Sequence, residues 1–378
     1  MRDGWTETTL GDVAEWFSGG TPKAGKPEFY ENGTIPWVVI ADMMKTEIFD
    51  TASKITKAGL TEIGGRVAPK DSVLISMYAT VGRPGFAHIP VATNQAIAWS
   101  VPNKKMIQPR FLLLVAQFLE SEISSMARGA TQRNINRAML KEFSFNLPPL
   151  DEQKRIVDVV SSVDAYIAAL KQQADSARKA RNAVLYELLS AGGDDWTETT
   201  LGTLISLQTG KLDVNAGSED GEFPFFTCAR QIFKIDIAAF SGKSVLVAGN
   251  GDLNVKYYDG EFNAYQRTYV LQVLNEDELD VLFLFHFMDK YVEVLRGDTQ
   301  GSTIQYLKKG QFVDAPINLP SLTEQKRIVE IVSSMDEVIQ STEKAVVDAK
   351  KLRSGLLSDL LSGDHEIPES YDSLLGAA

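Results

Sequence analysis

The chain has 378 residues, 44% of them hydrophobic, with 38 Lys and Arg against 50 Asp and Glu for a net charge of −12. That composition describes a folded acidic protein with room for two or three domains, not a disordered one. One cysteine, Cys228, excludes an intramolecular disulfide framework and fits a reducing compartment. The opening MRDGWTETTLG has no apolar signal core, and the most apolar run, Val281 to Met288, is too short for a bilayer. The expectation is a soluble cytoplasmic protein with no membrane partner.

The charge is uneven. Residues 1–146 carry 16 basic and 14 acidic side chains, whereas residues 194–318 carry 10 and 19. An acidic whole argues against a free-standing nucleic-acid binder. If the second region touches DNA, it must use a local basic cluster.

In chain order, WTETTLG (Trp5 to Gly11) comes first and returns unchanged at Trp196 to Gly202. Gly20-Thr-Pro-Lys-Ala-Gly-Lys26 fits the first seven positions of a phosphate-binding loop. Pro27 then stands where a hydroxyl is needed, so a surface turn is the reading. Ile35 to Val38 and Ser72 to Ile75 read as strands, answered by Phe223 to Phe226 and Ser244 to Val247. Turns follow at Tyr78 to Gly85 and Gly249 to Asn254, then Thr93 to Ala96 and Ala264 to Arg267 lead into further strands. Helices fit Pro109 to Ser125 and Asp280 to Leu295, and polar loops open Gly129-Ala-Thr131 and Gly301-Ser-Thr303. Short strands mixed with one sizeable helix make an α+β domain.

Each half closes on a long helix. LPPLDEQKRIVDVVSSVDAYI begins at Leu147, and LPSLTEQKRIVEIVSSMDEVI begins 172 residues later at Leu319. Ile156, Val160, Val163, Ile167, Leu170, Ala174, Ala177, Arg181, Val184 and Leu188 alternate steps of four and three. The second copy keeps the same phase to Leu360. A mean period of 3.5 over several heptads marks a coiled-coil seam. Asp151 and Thr323 are the N-cap candidates. Arg181 and Arg353 share one seam position, where an arginine either fixes register or snorkels outward. The organisation is 1–146, globular; 147–193, helix and linker; 194–318, globular; 319–362, helix; and 363–378, an acidic tail that is loosely ordered unless it packs beside the N-terminus.

Two variable globular regions alternate with near-identical helices opening LPxLxEQKRIV. With the paired GxT loops before LP and the GGTP…IPW stretch (Gly19 to Pro22, Ile35 to Trp37), the chain resembles the specificity subunit of type I restriction–modification systems along nearly its whole length. The resemblance implies two mixed α/β target recognition domains joined by an antiparallel coiled coil with a pseudo-two-fold repeat. Each domain would read one half of a bipartite asymmetric target in double-stranded DNA. The helices would set the gap and dock two methyltransferase subunits, with motor-nuclease subunits joining for cleavage. S-adenosylmethionine, ATP and magnesium would belong to those partners, and this chain would hold no cofactor or metal and perform no catalysis. A stand-alone two-domain nuclease and a protein-binding scaffold are the other readings.

Chemistry nominates the DNA-facing residues. In the first domain Gln132 and Asn134 suit adenine edges, Arg133 suits guanine or phosphate, and Thr131 lies beside them. Arg128, Arg137 and Lys141 suit phosphate positioning. The second-domain counterpart offers Thr303, Gln305, Tyr306, Lys308 and Lys309, a basic cluster in the acidic half. Asn94, Gln95, Gln266 and Arg267 read either as base contacts or as strand-end hydrogen bonding, and Tyr78, Arg83, Asn250 and Lys256 stand in the turns. Glu152-Gln153-Lys154 and Glu324-Gln325-Lys326 imitate a nuclease site but lack a converging carboxylate. With Arg155 and Arg327 they read as helix capping and partner docking.

Overall fold

Short β-branched and aromatic runs punctuated by Gly, Pro and Asn form the strands. In the computed structural model, which describes residues 2–129, 134–193, 196–298, 306–368 and 370–371, both halves follow one plan. The first domain contains β1 (Thr6–Thr9), β2 (Ala14–Ser18), β3 (Ile35–Val38), β4 (Glu47–Ile48), β5 (Ser53–Ile55), β6 (Val73–Ser76), β7 (Pro84–Ala87), β8 (Ala92–Thr93), β9 (Ile97–Pro102), the long helix α1 (Pro109–Gly129) and β10 (Ser144–Leu147). The helix α2 (Leu150–Ser190) follows. The second domain contains β11 (Thr197–Thr200), β12 (Ile205–Thr209), β13 (Phe223–Phe226), β14 (Phe233–Ile235), β15 (Ser244–Ala248), β16 (Val255–Tyr258), β17 (Asn263–Ala264), β18 (Thr268–Val273), the long helix α3 (Val281–Asp298) and β19 (Pro316–Leu319), leading into α4 (Leu322–Ser362).

Pairing explains why the Trp motif and the Pro motif recur together. β1 pairs antiparallel with β10, and β11 pairs antiparallel with β19, so each Trp motif closes the domain on the strand that feeds its long helix. The main sheets run β2-β9-β6-β7-β4 and β12-β18-β15-β16; the smaller ones run β5-β3-β8 and β14-β13-β17. The first domain is longer chiefly between β3 and β6, where it inserts β4 and a helical turn at Lys57–Glu62.

The chain folds into two compact units that do not follow chain order. One comprises Met1–Ala169 with Val346–Ala378, the other Leu170–Ala345. Each unit thus packs a globular domain on the first part of its own exit helix and the last part of the other. In the first unit Phe111, Ile156 and Val160 share a core with Leu357, Leu360 and Leu361. In the second, Phe283, Ile328 and Val332 share one with Leu185. Each such buried side chain contributes about 1.5–3 kcal/mol. The seam positions of α2 are all buried or half-buried, and the pairing is antiparallel within each unit. Asp164 meets Arg353 in the first, while Arg178 and Arg181 meet Glu343 and Asp336 in the second.

Two expectations change. Asp151 and Thr323 are not N-caps: α2 and α4 begin one residue before them, and the first turns close when Gln153 and Gln325 donate their amides to the carbonyls of Pro149 and Ser321, both at 2.9 Å. The described part of the tail packs beside the N-terminus. Ile367 is buried in the core that holds Trp5, and Arg2 pairs with Glu366 at 2.9 Å.

Arg181 does not snorkel. It is 6% exposed and forks onto Asp336 (3.0 and 3.3 Å), while also donating to Asp289 (2.7 Å) and to Nδ1 of His286 (3.2 Å). Burial acts to lower its pKa, but Asp336 and Asp289 outweigh that and hold it above the ordinary value. Arg353 repeats the arrangement on Asp164 (2.6 and 2.9 Å) and Gln117 (2.9 Å). Both sets of positions are related by the offset of 172 residues. Each arginine therefore ties together α2, α4 and its own domain helix, α3 or α1.

His286 gives this node a pH dependence. Burial, then the neighbouring Arg181, pushes its pKa from 6.5 down to about 4. Between these values the unfolded chain binds a proton that the folded chain excludes. The stabilisation is present above about pH 6.5 and is lost as the pH falls towards 4, a change on the order of 3 kcal/mol. The same position in the first domain is Leu114. Denaturant unfolding of His286→Leu should show a flatter stability profile between pH 4.5 and 7 than the parent chain. A parallel decline in both proteins would assign the acid sensitivity elsewhere.

Candidate nucleic-acid interface

In the first domain three segments meet at Met77. Its amide donates to the Ala96 carbonyl at 2.7 Å, and its carbonyl accepts from the Ile135 amide at 3.2 Å. The turn after β6 is held by Ser76 Oγ, which accepts from the Arg83 amide at 3.1 Å. Two left-handed residues, Ala79 (φ 60°) and Gly82 (φ 88°), bend it. A Cβ at Gly82 would lie 2.9 Å from the Glu120 carbonyl oxygen, so the close approach to α1 also requires glycine. A fourth segment lies over the second, since Gly20 donates to the Thr93 carbonyl at 3.0 Å and the Thr21 hydroxyl donates to Oε1 of Gln95.

This convergence gathers Tyr78, Asn94, Gln95, Asn134 and Arg137. Tyr78, Gln95 and Arg137 are exposed. Asn94 spends its Oδ1 on the Ala96 amide at 3.1 Å, which shapes the turn. Asn136 caps the helix Arg137–Lys141 by accepting from the Met139 amide at 3.0 Å, presenting Arg137 at its start. Arg83 is not brought to this group. Its guanidinium lies 3.5 Å from the Met44 carbonyl and lines a separate cleft with Gln117, Glu120 and Arg353. Burial pushes the Glu120 carboxyl up there, and Arg83 opposes it. Thr131, Gln132 and Arg133 lie outside the described residues, and Arg128 falls in the last turn of α1.

The second domain repeats the knot at Gly249. Its amide donates to the Arg267 carbonyl and its carbonyl accepts from the Leu307 amide, both at 2.8 Å. Asn250 bridges to Tyr306, and the Arg267 guanidinium sits 5.3 Å from the centre of the Tyr306 ring. Asn250, Gln266, Arg267, Tyr306, Lys308 and Lys309 are thereby collected at one end of the domain, and all but half-buried Asn250 are exposed. Thr303 and Gln305 lie outside the described residues. Lys256 is consumed internally, donating to the Ala229 carbonyl at 2.8 Å and to Asn254 Oδ1. Burial lowers its pKa. Gly210 matches Gly19: a Cβ at either would lie 1.8 Å from a strand carbonyl, Ala264 or Thr93 respectively.

The domain fold and its paired convergences can be set beside known proteins. The family model described as type I restriction modification DNA specificity domain matches residues 2–177 and 193–348. The chain belongs to this family. The EcoDI specificity subunit of Escherichia coli is 39% identical over 175 residues, covering 45% of this chain and 38% of that subunit. The MjaIX specificity subunit of Methanocaldococcus jannaschii is 22% identical over 97% of this chain and 94% of its own length. Two solved structures share the fold. The S subunit from M. genitalium superposes with a TM-score of 0.54 at 16% identity, covering 96% of this chain and 97% of its own. A chain from a study of assembly and conformational transition of the type I R-M system gives 0.65 at 17%, covering 97% and 99%.

For this specificity-domain protein, the EQKR turns divide. Gln153 and Gln325 are fully buried, so they are structural residues and not docking ones: their side-chain amides are occupied inside the protein. Glu152 is also buried, accepting from Trp5 Nε1 at 2.9 Å and pairing with Arg2 at 2.7 Å. Lys154, Lys326 and Arg327 are exposed, Arg155 and Glu324 half-buried, and Arg327 pairs with Glu324 at 2.9 Å. Sequence reasoning read Thr21 only as part of a surface turn and did not single out Arg230, four residues past the end of the FPFF strand. Among the described residues no group of three or more His, Cys, Asp or Glu side chains is placed to hold a metal ion, and no helix is long and apolar enough to cross a membrane.

Proposed function

We propose that this chain is the DNA-reading specificity subunit of a cytoplasmic type I restriction–modification complex. The observation that carries the reading is the matched convergence of turns at Met77 and Gly249, one in each specificity domain, presenting amide, aromatic and cationic side chains. Each domain reads one half of an asymmetric bipartite target, and helix length sets the gap between them. The exposed faces of α2 and α4 dock two methyltransferase subunits, and motor-nuclease subunits join for cleavage. S-adenosylmethionine, ATP and magnesium serve those partners, so the chemistry is theirs and the choice of site belongs to this chain. Family membership gives no support to a stand-alone nuclease or a protein scaffold.

The basic side chains at each convergence make the affinity a counterion-release problem. With its methyltransferase partners, the chain should select one bipartite motif from a random duplex library. Affinity should fall roughly a thousandfold between 50 and 200 mM salt if six or more phosphates are neutralised. Absence of binding to every duplex in the presence of those partners would sink the reading.

A further inference from the structure

The turn after β13 carries an arginine that the repeat does not share. Arg230 stands where the first domain has Asp42. Asp42 is turned inward, accepting from the amides of Val39 at 2.9 Å and Ala52 at 3.1 Å. Arg230 points outward, with its side chain 71% exposed. The turn beneath it is tied into the Gly249 convergence: Asn254 donates to the Cys228 carbonyl at 2.8 Å, Lys256 to the Ala229 carbonyl at 2.8 Å, and Cys228 Sγ lies 3.4 Å from the Arg267 carbonyl.

Arg230 is held by one edge. Its Nε donates to Asp252 Oδ2 at 2.7 Å and its Nη2 to Oδ1 at 3.3 Å. Asp252 is in turn anchored by Arg296 of α3, at 3.3 Å. A guanidinium has two bidentate edges, Nε with Nη2 and Nη1 with Nη2. The carboxylate takes the first, fixes the plane of the group and leaves the second facing away. An exposed ion pair adds little stability, so orientation is what this pair supplies.

We propose that Arg230, oriented by Asp252, reads a guanine in the half-site bound by the second domain. The free edge offers two parallel donors, which match O6 and N7 of guanine in the major groove. A phosphate is the poorer partner. Asp252 offsets part of the charge that would attract it. This inference rests on the function proposed above and adds a base to it.

The test uses the complete methylating complex and sequencing of the methylated motif. The wild-type motif should contain a guanine in one half-site whose discrimination falls about tenfold or more in Arg230→Ala, with the other positions unchanged. Arg230→Lys should relax the same position, because one ammonium cannot make the paired contact, and Asp252→Asn should weaken it. The assignment is overturned if Arg230→Lys keeps the motif intact. It is equally overturned if Arg230→Ala weakens all duplexes alike and lowers the salt slope by about one, the behaviour of a phosphate contact. A wild-type complex with no methylated motif would instead overturn the specificity-subunit reading itself, and this inference with it.

Discussion

Arg181→Ala is expected to cost about 3–5 kcal/mol of folding stability, the range for removing one partner of a buried ion pair. Two carboxylates, Asp336 and Asp289, converge on this guanidinium, and His286 Nδ1 accepts a further hydrogen bond. Without the cation both carboxylates, 32% and 40% exposed, lose their shared counterion beside a buried histidine. Arg353→Ala should cost less. Its side chain is 17% exposed against 8% for Arg181, and its second partner is the neutral Gln117 where Arg181 has Asp289. Denaturant unfolding of the full-length variants checks both magnitudes. A loss below about 1 kcal/mol at Arg181 would mean that the pair is screened as if it were on the surface.

The two arginines also show what sequence could resolve. Their shared seam position and the offset of 172 residues were legible from the repeat, because a helical period is a local property. Whether the guanidinium turned inward was not. The answer depends on Asp289 and Gln117, more than a hundred residues away from Arg181 and Arg353 along the chain. The paired Trp and Pro motifs were legible as recurrences, but their role as antiparallel partners appears only once β1 meets β10. At the candidate interface the order of the turns was readable, and their convergence on single residues was not. A backbone hydrogen bond from Ile135 to Met77, or from Leu307 to Gly249, has no signature in side-chain identity. Arg83 and Lys256 stand in turns that the sequence marks, yet packing directs one to a different cleft and the other to a backbone carbonyl.

Gln153→Leu and Gln325→Leu should each destabilise the chain by about 3 kcal/mol or more, although both residues lie in motifs that read as surface. Gln153 accepts from the Gln108 amide at 2.8 Å and donates to the carbonyls of Met106 (2.8 Å) and Pro148 (2.9 Å). Gln325 does the same with the Asp280 amide (2.7 Å) and the carbonyls of Glu278 (2.8 Å) and Pro320 (2.9 Å). Each glutamine therefore satisfies three backbone groups where the domain helix begins beside the long helix. Leucine preserves much of the volume but leaves those groups unpaired at about 1–3 kcal/mol each. The neighbouring Lys154 and Lys326 are exposed, and alanine there should change stability by no more than about 0.5 kcal/mol. Unfolding and methyltransferase binding, measured on both pairs of variants, separate the roles. If the glutamine variants unfold like the parent and lose only partner binding, these side chains belong to the docking surface after all. If they unfold early while the lysine variants lose the partner, the motif is divided between fold and interface residue by residue.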